Sequence, residues 1–172
     1  MLTILKLLQS LFKTLHSEGT PAQVAAGMML GAGIGLTPLL SAHNLVLFAA
    51  IVLLNVSFGG GMLGMALFTP VGFILDPVFD RIGLALLGAP ALQTLWTDWY
   101  NIPLVPYTNF NNSVTLGGFV FWLVAAVPLY FLGKLAITRY RATYGARVMN
   151  SKFMKGLKAS KVYNVYSWFR PE

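Results

Sequence analysis

The sequence predicts an all-α integral membrane protein, and three observations predict it. Of 172 residues, 56% are hydrophobic and 10% are charged, against about 25% charged in an ordinary soluble domain. The 115 residues from Gly19 to Gly133 carry only four groups ionised at neutral pH: Asp76, Asp80, Arg81 and Asp98. Four charges cannot cover the surface of a water-soluble domain of that size. The remaining charge is gathered at the ends, with nine Lys/Arg against Glu172 from residue 134 onward and Lys6 and Lys13 ahead of the first long apolar stretch. Basic flanks around apolar spans are the positive-inside pattern. Within this class the chain is expected to hold two Gly/Pro-broken helical hairpins (a possible inverted repeat), one full transmembrane span, and amphipathic interfacial helices at both ends.

Other classes fall away on the same arithmetic. The chain has no cysteine, which excludes a disulfide framework and a thiolate metal site. Its high apolar content is the opposite of a disordered composition. Residues 1–15 mix Lys6, Gln9, Ser10 and Lys13 into the apolar run without a small-residue cleavage site, so no secretory signal is expected. The net charge of +7 sits in membrane flanks rather than in a basic, aromatic-interleaved module, so no nucleic-acid partner is expected. Anionic lipids at the basic tail are the expected partners of that charge.

The elements follow in order. Residues 1–19 read as an N-terminal amphipathic helix, since Ile4, Leu5, Leu8, Leu11, Phe12 and Leu15 recur at helical spacing. It is expected to lie in the membrane interface or to pack on the protein's own cytoplasmic face. The membrane domain, residues 20–135, opens with a capping box: Thr20 as N-cap, Pro21 at the first helical position, Gln23 three residues after the cap. A straight helix from Val24 to Leu54 would reach roughly 45 Å, beyond a hydrocarbon core of about 30 Å. The polar stretch of Thr37, Pro38, Ser41, His43 and Asn44 therefore divides residues 20–57 into two short helices, about Ala22–Leu36 and Ala42–Val56.

Residues 58–88 are read as a second broken hairpin, interrupted at Thr69-Pro70 and restarted at Asp76-Pro77. An offset of 32 superposes Thr37-Pro38 on Thr69-Pro70, Gly27 on Gly59 and Asn44 on Asp76. Paired Gly/Pro-interrupted apolar segments are a pointer to an internal repeat. Residues 89–113 form an outer aromatic loop with Trp96, Trp99, Tyr100 and Tyr107 and no Lys or Arg. Residues 114–133 are the full span, with Pro128 inside it, and 134–172 a basic cytoplasmic tail with Lys152, Lys155, Lys158 and Lys161 at steps of three. Both basic termini are expected in the cytoplasm, with an even number of crossings.

Several motifs carry candidate function. Gly27, Gly31 and Gly35, and again Gly60 and Gly64, repeat the four-residue glycine spacing that lets helices approach backbone to backbone. The neighbour is expected within the same chain, a second copy being the alternative. Gly59, Gly61 and Gly64 match a dinucleotide fingerprint formally, but an apolar helix surrounds them instead of a β-α-β unit. Asp76 and Asp80 share a helical face, with Arg81 adjacent. They read either as a cap and a dipole partner or as an intramembrane polar site. His43 and Asn44 occupy the matching place in the first block, and Thr37 and Thr69 are expected to cap helices or turn hydroxyls to a cavity. His43 and His16 are the two histidines, too few for a zinc site. No catalytic constellation is visible, and no cofactor is expected.

The run Thr20-Pro21, Gly27, Gly31, Gly35-Leu36-Thr37-Pro38 and His43, with Asn55 closing the next helix, resembles a family of small bacterial inner-membrane proteins: domain-of-unknown-function family two thousand and sixty-two. The resemblance covers roughly residues 20–135. It implies a bacterial inner-membrane location, and the glycosyltransferase-like domains fused to some relatives imply envelope lipid or glycan work. Where family members commonly carry Asn-Pro in the second block, this chain has Thr69-Pro70 or Asp76-Pro77.

The expected function is a non-enzymatic inner-membrane factor in envelope lipid handling. It would bind or translocate a lipid-like substrate in a cavity between the broken helices, near Thr37, His43, Asn44, Thr69, Asp76, Asp80 and Arg81. An anionic head group would use Arg81 and the half-helix N-termini. The alternative is a structural or docking subunit of a larger envelope complex, through an envelope protein partner or a homo-oligomer.

Overall fold

The computed structural model describes residues 19–143. The amphipathic segment expected before them and the basic tail beyond them lie outside the described residues. Every regular element among the described residues is helical. Backbone proximity divides the chain after Ile137. The first unit holds the elements below, and the described part of the second is the closing stretch of the last helix.

Helix α1 spans Pro21–Gly35 and starts as its residues dictate. The Thr20 hydroxyl accepts from the Gln23 N–H at 3.2 Å, and the Gln23 side chain accepts from the Thr20 N–H at 2.8 Å. The helix stops at Leu36, and the chain turns through Pro38 into α2, Ala42–Leu53, with Ser41 as its N-cap. The break expected in the first block is present as a turn between two short helices.

The second is not. Residues 58–87 form one continuous 30-residue helix, α3, Phe58–Leu87, with Pro70 and Pro77 inside it. Thr69 and Asp76 stand mid-helix instead of capping restarts. The ring of Pro70 removes one N–H from the ladder, the one that would have met the Ala66 carbonyl, and beside it the Thr69 hydroxyl donates to the Met65 carbonyl at 2.7 Å.

The loop contains structure of its own: a 3₁₀ turn at Pro90–Leu92, helix α4 at Gln93–Tyr100, and a 3₁₀ turn at Val105–Thr108. Helix α5 then runs Ser113–Thr143, about ten residues past the expected end of the span. Both α3 and α5 are long and apolar enough to cross a membrane, with mean hydropathies of 1.7 and 2.0. Only 22% and 17% of their most apolar stretches are buried, whereas the core helix of a soluble protein would be mostly covered. Leu67, Phe73, Ile74 and Leu84 on α3, and Val124, Val127, Phe131 and Leu132 on α5, are exposed. This outward apolar surface points to a membrane protein.

The glycine spacing works inside the chain. A Cβ at Gly27 would strike the Ser57 carbonyl, one at Gly31 the Gly61 carbonyl, and one at Gly64 the Met28 carbonyl. Gly35 lies against Met65 and Thr69, and Gly60 against Val24. Helices α1 and α3 thus touch backbone to backbone over most of α1. A second joint of the same kind, between α3 and α5, sets Gly83 on the Ser113 carbonyl and Gly117 on the Phe79 carbonyl. The core beside these joints is Ala32, Ile34, Leu36, Leu47, Ile51, Phe79 and Trp122.

Candidate functional site

The turn between α1 and α2 builds a buried polar cluster. Thr37, at 6% exposure, and Asn44, at 5%, face each other there. The Asn44 amide donates to the Pro38 carbonyl at 2.9 Å, which fixes its orientation and leaves its oxygen toward the Thr37 hydroxyl, also 2.9 Å away. That hydroxyl has a second acceptor, the Gly33 carbonyl at 2.9 Å. His43 Nε2 lies 3.1 Å from Thr37 Oγ1 in the same set, its role as donor or acceptor following the tautomer of the ring. His43 lies outside the two long helices. Burial holds its imidazole pKa below the ordinary 6.5, against a smaller opposing pull from a hydrogen bond to the Thr108 backbone. The buried Ser41 hydroxyl in this turn has no hydrogen-bond partner among the described residues.

Two cavities meet at this cluster. The first, of about 260 Å³, is almost wholly apolar: His43 forms its polar corner, and Trp99, Phe110, Leu116 and Phe119 are among its walls. The aromatic loop between α3 and α5 roofs it. Trp96 and Trp99 stack edge-on at 5.6 Å, Phe110 packs on both, and His43 lies 5.1 Å from the ring of Phe119. The loop is pinned to α3 by the Trp96 indole on the Leu86 carbonyl (3.0 Å) and by the Gln93 amide on the Leu87 carbonyl (2.6 Å). It is pinned to the α1–α2 turn by Asn109 on the Leu40 carbonyl at 3.3 Å. The second cavity, of about 150 Å³, has Gly35, Thr37, Thr69, Gly72 and Asp76 in its wall. Thr37 lines one cavity and His43 the other, so their hydrogen bond is part of the partition.

The expected site residues thus divide into groups. Thr37, His43 and Asn44 form one hydrogen-bonded set, and Thr37, Thr69 and Asp76 share a cavity. Asp80 stands apart, its carboxylate accepting a short hydrogen bond from the Ser113 hydroxyl at the start of α5. Arg81 is exposed and lines neither cavity. No cluster of three His, Cys, Asp or Glu among the described residues could hold a metal ion.

Sequence reasoning missed Ser113, the Gly83–Gly117 joint, and Trp122, whose indole donates to the Met29 carbonyl at 2.9 Å. The Gly83 signal was faint because its partner lies on another helix, leaving no spacing within one segment to read.

The family model described as "uncharacterized protein conserved in bacteria (DUF2062)" matches residues 6–144. The chain belongs to this family. A relative from Treponema pallidum (strain Nichols), itself named only an uncharacterized protein, is 32% identical over 138 residues, covering 80% of this chain and 85% of its own length. No solved structure matches the chain.

Proposed function

We propose that this chain is a bacterial inner-membrane factor that binds or translocates a lipid-like amphiphile, without itself catalysing a reaction. The observation that carries the reading is the apolar cavity beneath the aromatic loop, with His43 as its polar corner and the Thr37–His43 bond separating it from a more polar cavity. An amphiphile needs that pairing: an apolar chamber for part of a chain beside polar groups for its head. The exposed apolar faces of α3 and α5 put such a site within reach of lipid. The basic ends are read as cytoplasmic, α3 and α5 as two crossings, and α1–α2 as a re-entrant hairpin held against α3.

The test is photocrosslinking in native-lipid nanodiscs with a phospholipid carrying a diazirine on its acyl chain. Label is expected on the peptides holding Trp99, Phe110 and Phe119, and Leu116→Trp, which fills the chamber, is expected to remove it. Label confined to the outward faces of α3 and α5, unchanged by Leu116→Trp, would overturn the reading.

A docking subunit is the second reading. It is favoured by the loop's outward surface, where Tyr100, Ile102, Leu104 and Tyr107 are exposed and Leu104 is held at φ 74°. That φ is costly for a non-glycine residue. A stoichiometric protein partner, lost when Leu104 and Tyr107 are changed to serine while lipid labelling persists, would favour docking.

A further inference from the structure

The smaller cavity collects negative ends. Asp76 places a half-buried carboxylate in its wall, and no hydrogen bond or ion pair involves that carboxylate among the described residues. The C-terminus of α1 reaches the same place, with the Gly35 carbonyl directed at Gly72. A helix C-terminus carries about half a negative charge, and α1 has no basic residue in its last turn to offset it. The Thr69 hydroxyl adds to the same sign, since it gives its proton to the Met65 carbonyl and keeps its lone pairs, whereas the Thr37 hydroxyl is already engaged with Gly33, Asn44 and His43. Among the described residues no Lys, Arg or His lines the cavity. A carboxylate, a helix C-terminus and a committed hydroxyl around one cavity are complemented by a cation.

Size and walls narrow the choice. The cavity, about 150 Å³, exceeds by roughly tenfold what a single water requires, far more than a bare monovalent ion fills. Its rim is apolar, with Leu39 and Phe73 exposed at 59% and 74%. A primary ammonium has three donors and no acceptor, and the Asp76 carboxylate, Thr69 Oγ1 and the Gly35 carbonyl are three acceptors. Methylenes next to that ammonium suit Leu39 and Phe73.

We propose that the Thr37–Thr69–Asp76 cavity holds the primary ammonium of an amine-bearing lipid headgroup. The proposal rests on the lipid-binding reading above and names its substrate class: phosphoethanolamine-type lipids in preference to purely anionic ones. Arg81, the residue expected to meet an anionic head group, lines neither of the two cavities described above.

The test uses the full chain in nanodiscs of mixed phosphatidylethanolamine, its N-acylated derivative and phosphatidylglycerol, followed by gentle transfer to detergent and native mass spectrometry of retained lipid. The N-acylated lipid keeps the phosphate and loses the ammonium, so the wild-type chain alone tests the idea even where a variant misfolds. Phosphatidylethanolamine is expected to be retained at least about tenfold over the other two, a gap of the size a lost charge pair produces. Asp76→Asn is expected to abolish the preference and Asp80→Asn to keep it. Equal retention of the amine lipid and its N-acylated form would overturn the ammonium assignment while leaving lipid binding intact. Retention of no lipid of any class would overturn the lipid-binding reading as well. Stabilisation by sodium ions with no lipid discrimination would make an inorganic cation the occupant and overturn the headgroup proposal.

Discussion

Thr37-Pro38 and Thr69-Pro70 are the same dipeptide in the same chemical setting, yet one ends a helix and the other lies inside one. The local bond is identical: each threonine hydroxyl donates to the carbonyl four residues back, Gly33 in one case and Met65 in the other. That bond therefore does not decide the outcome, and the flanks do. Before Thr37 the chain reads Gly31, Gly33, Gly35 within five residues, and each glycine weakens a helix by about 1 kcal/mol relative to alanine. After Pro38 come Ser41, suited to an N-cap, and Asn44, which ties back to the Pro38 carbonyl. Before Thr69 stand Met65, Ala66, Leu67 and Phe68, and after Pro70 an apolar run to Leu75. Good helix formers, with α1 packed alongside, carry α3 across its prolines.

The largest way to break this contrast is to deny α1 its seat on α3. Gly31→Leu would drive a side chain into the Gly61 carbonyl, backbone that cannot turn aside. A loss of at least about 3 kcal/mol is expected, read as collapse of folded yield and of the thermal transition in detergent. Gly133→Ala, where the nearest atom would be 3.6 Å away, is expected to be silent.

Next is the polar turn that makes the first block a hairpin. Asn44→Ala leaves Thr37 without one acceptor and the Pro38 carbonyl without its donor, a cost of about 1–3 kcal/mol for buried groups. Thr69→Val removes only the half-buried hydroxyl bond to Met65 and is expected to cost less than about 1 kcal/mol. Equal losses in chemical denaturation would show that the two Thr-Pro sites are restrained alike.

A smaller effect sits where α3 meets α5. A double-mutant cycle of Asp80→Asn with Ser113→Ala is expected to return a coupling of about 0.5–1.5 kcal/mol. Zero coupling would leave the glycine joint alone to hold that end.

The smallest is the pH dependence of His43. Its folded pKa lies below 6.5 because burial disfavours the charged ring. The folded chain therefore binds fewer protons than the unfolded one. The stability this contributes is present above the unfolded value and is lost as pH falls through the folded one. The melting temperature is expected to fall between about pH 7 and pH 5, with His43→Gln flattening the slope. An unchanged slope would remove His43 as its source.

Much of the first half was legible because its signals are local. Thr20-Pro21 with Gln23 writes the start of α1, three glycines write its packing face, and Thr37-Pro38 followed by Ser41 writes the turn. The second block misled for the same reason. Thr69-Pro70 and Asp76-Pro77 look like punctuation when read alone, and only the packing of α3 against α1 and α5 overrides them. Asp80 with Ser113 and Gly83 with Gly117 pair residues more than thirty positions apart, on helices where neither member is unusual. The candidate site was legible in its members and not in its grouping: Thr37, His43, Asn44, Thr69 and Asp76 were all named, while the partition of Thr37 and His43 between two cavities needs the turn in three dimensions.

The glycine seam also sets an order of synthesis. Helix α1 has 15 residues, about 22 Å of rise against a hydrocarbon thickness of about 30 Å. Its packing face is bare backbone until α3 covers it. On the ribosome, residues 20–57 emerge ahead of residues 58–87, and nothing described in the chain's first third covers that face in their place. The face stays bare until residues 58–87 arrive, so the packing of the first half is decided by the second.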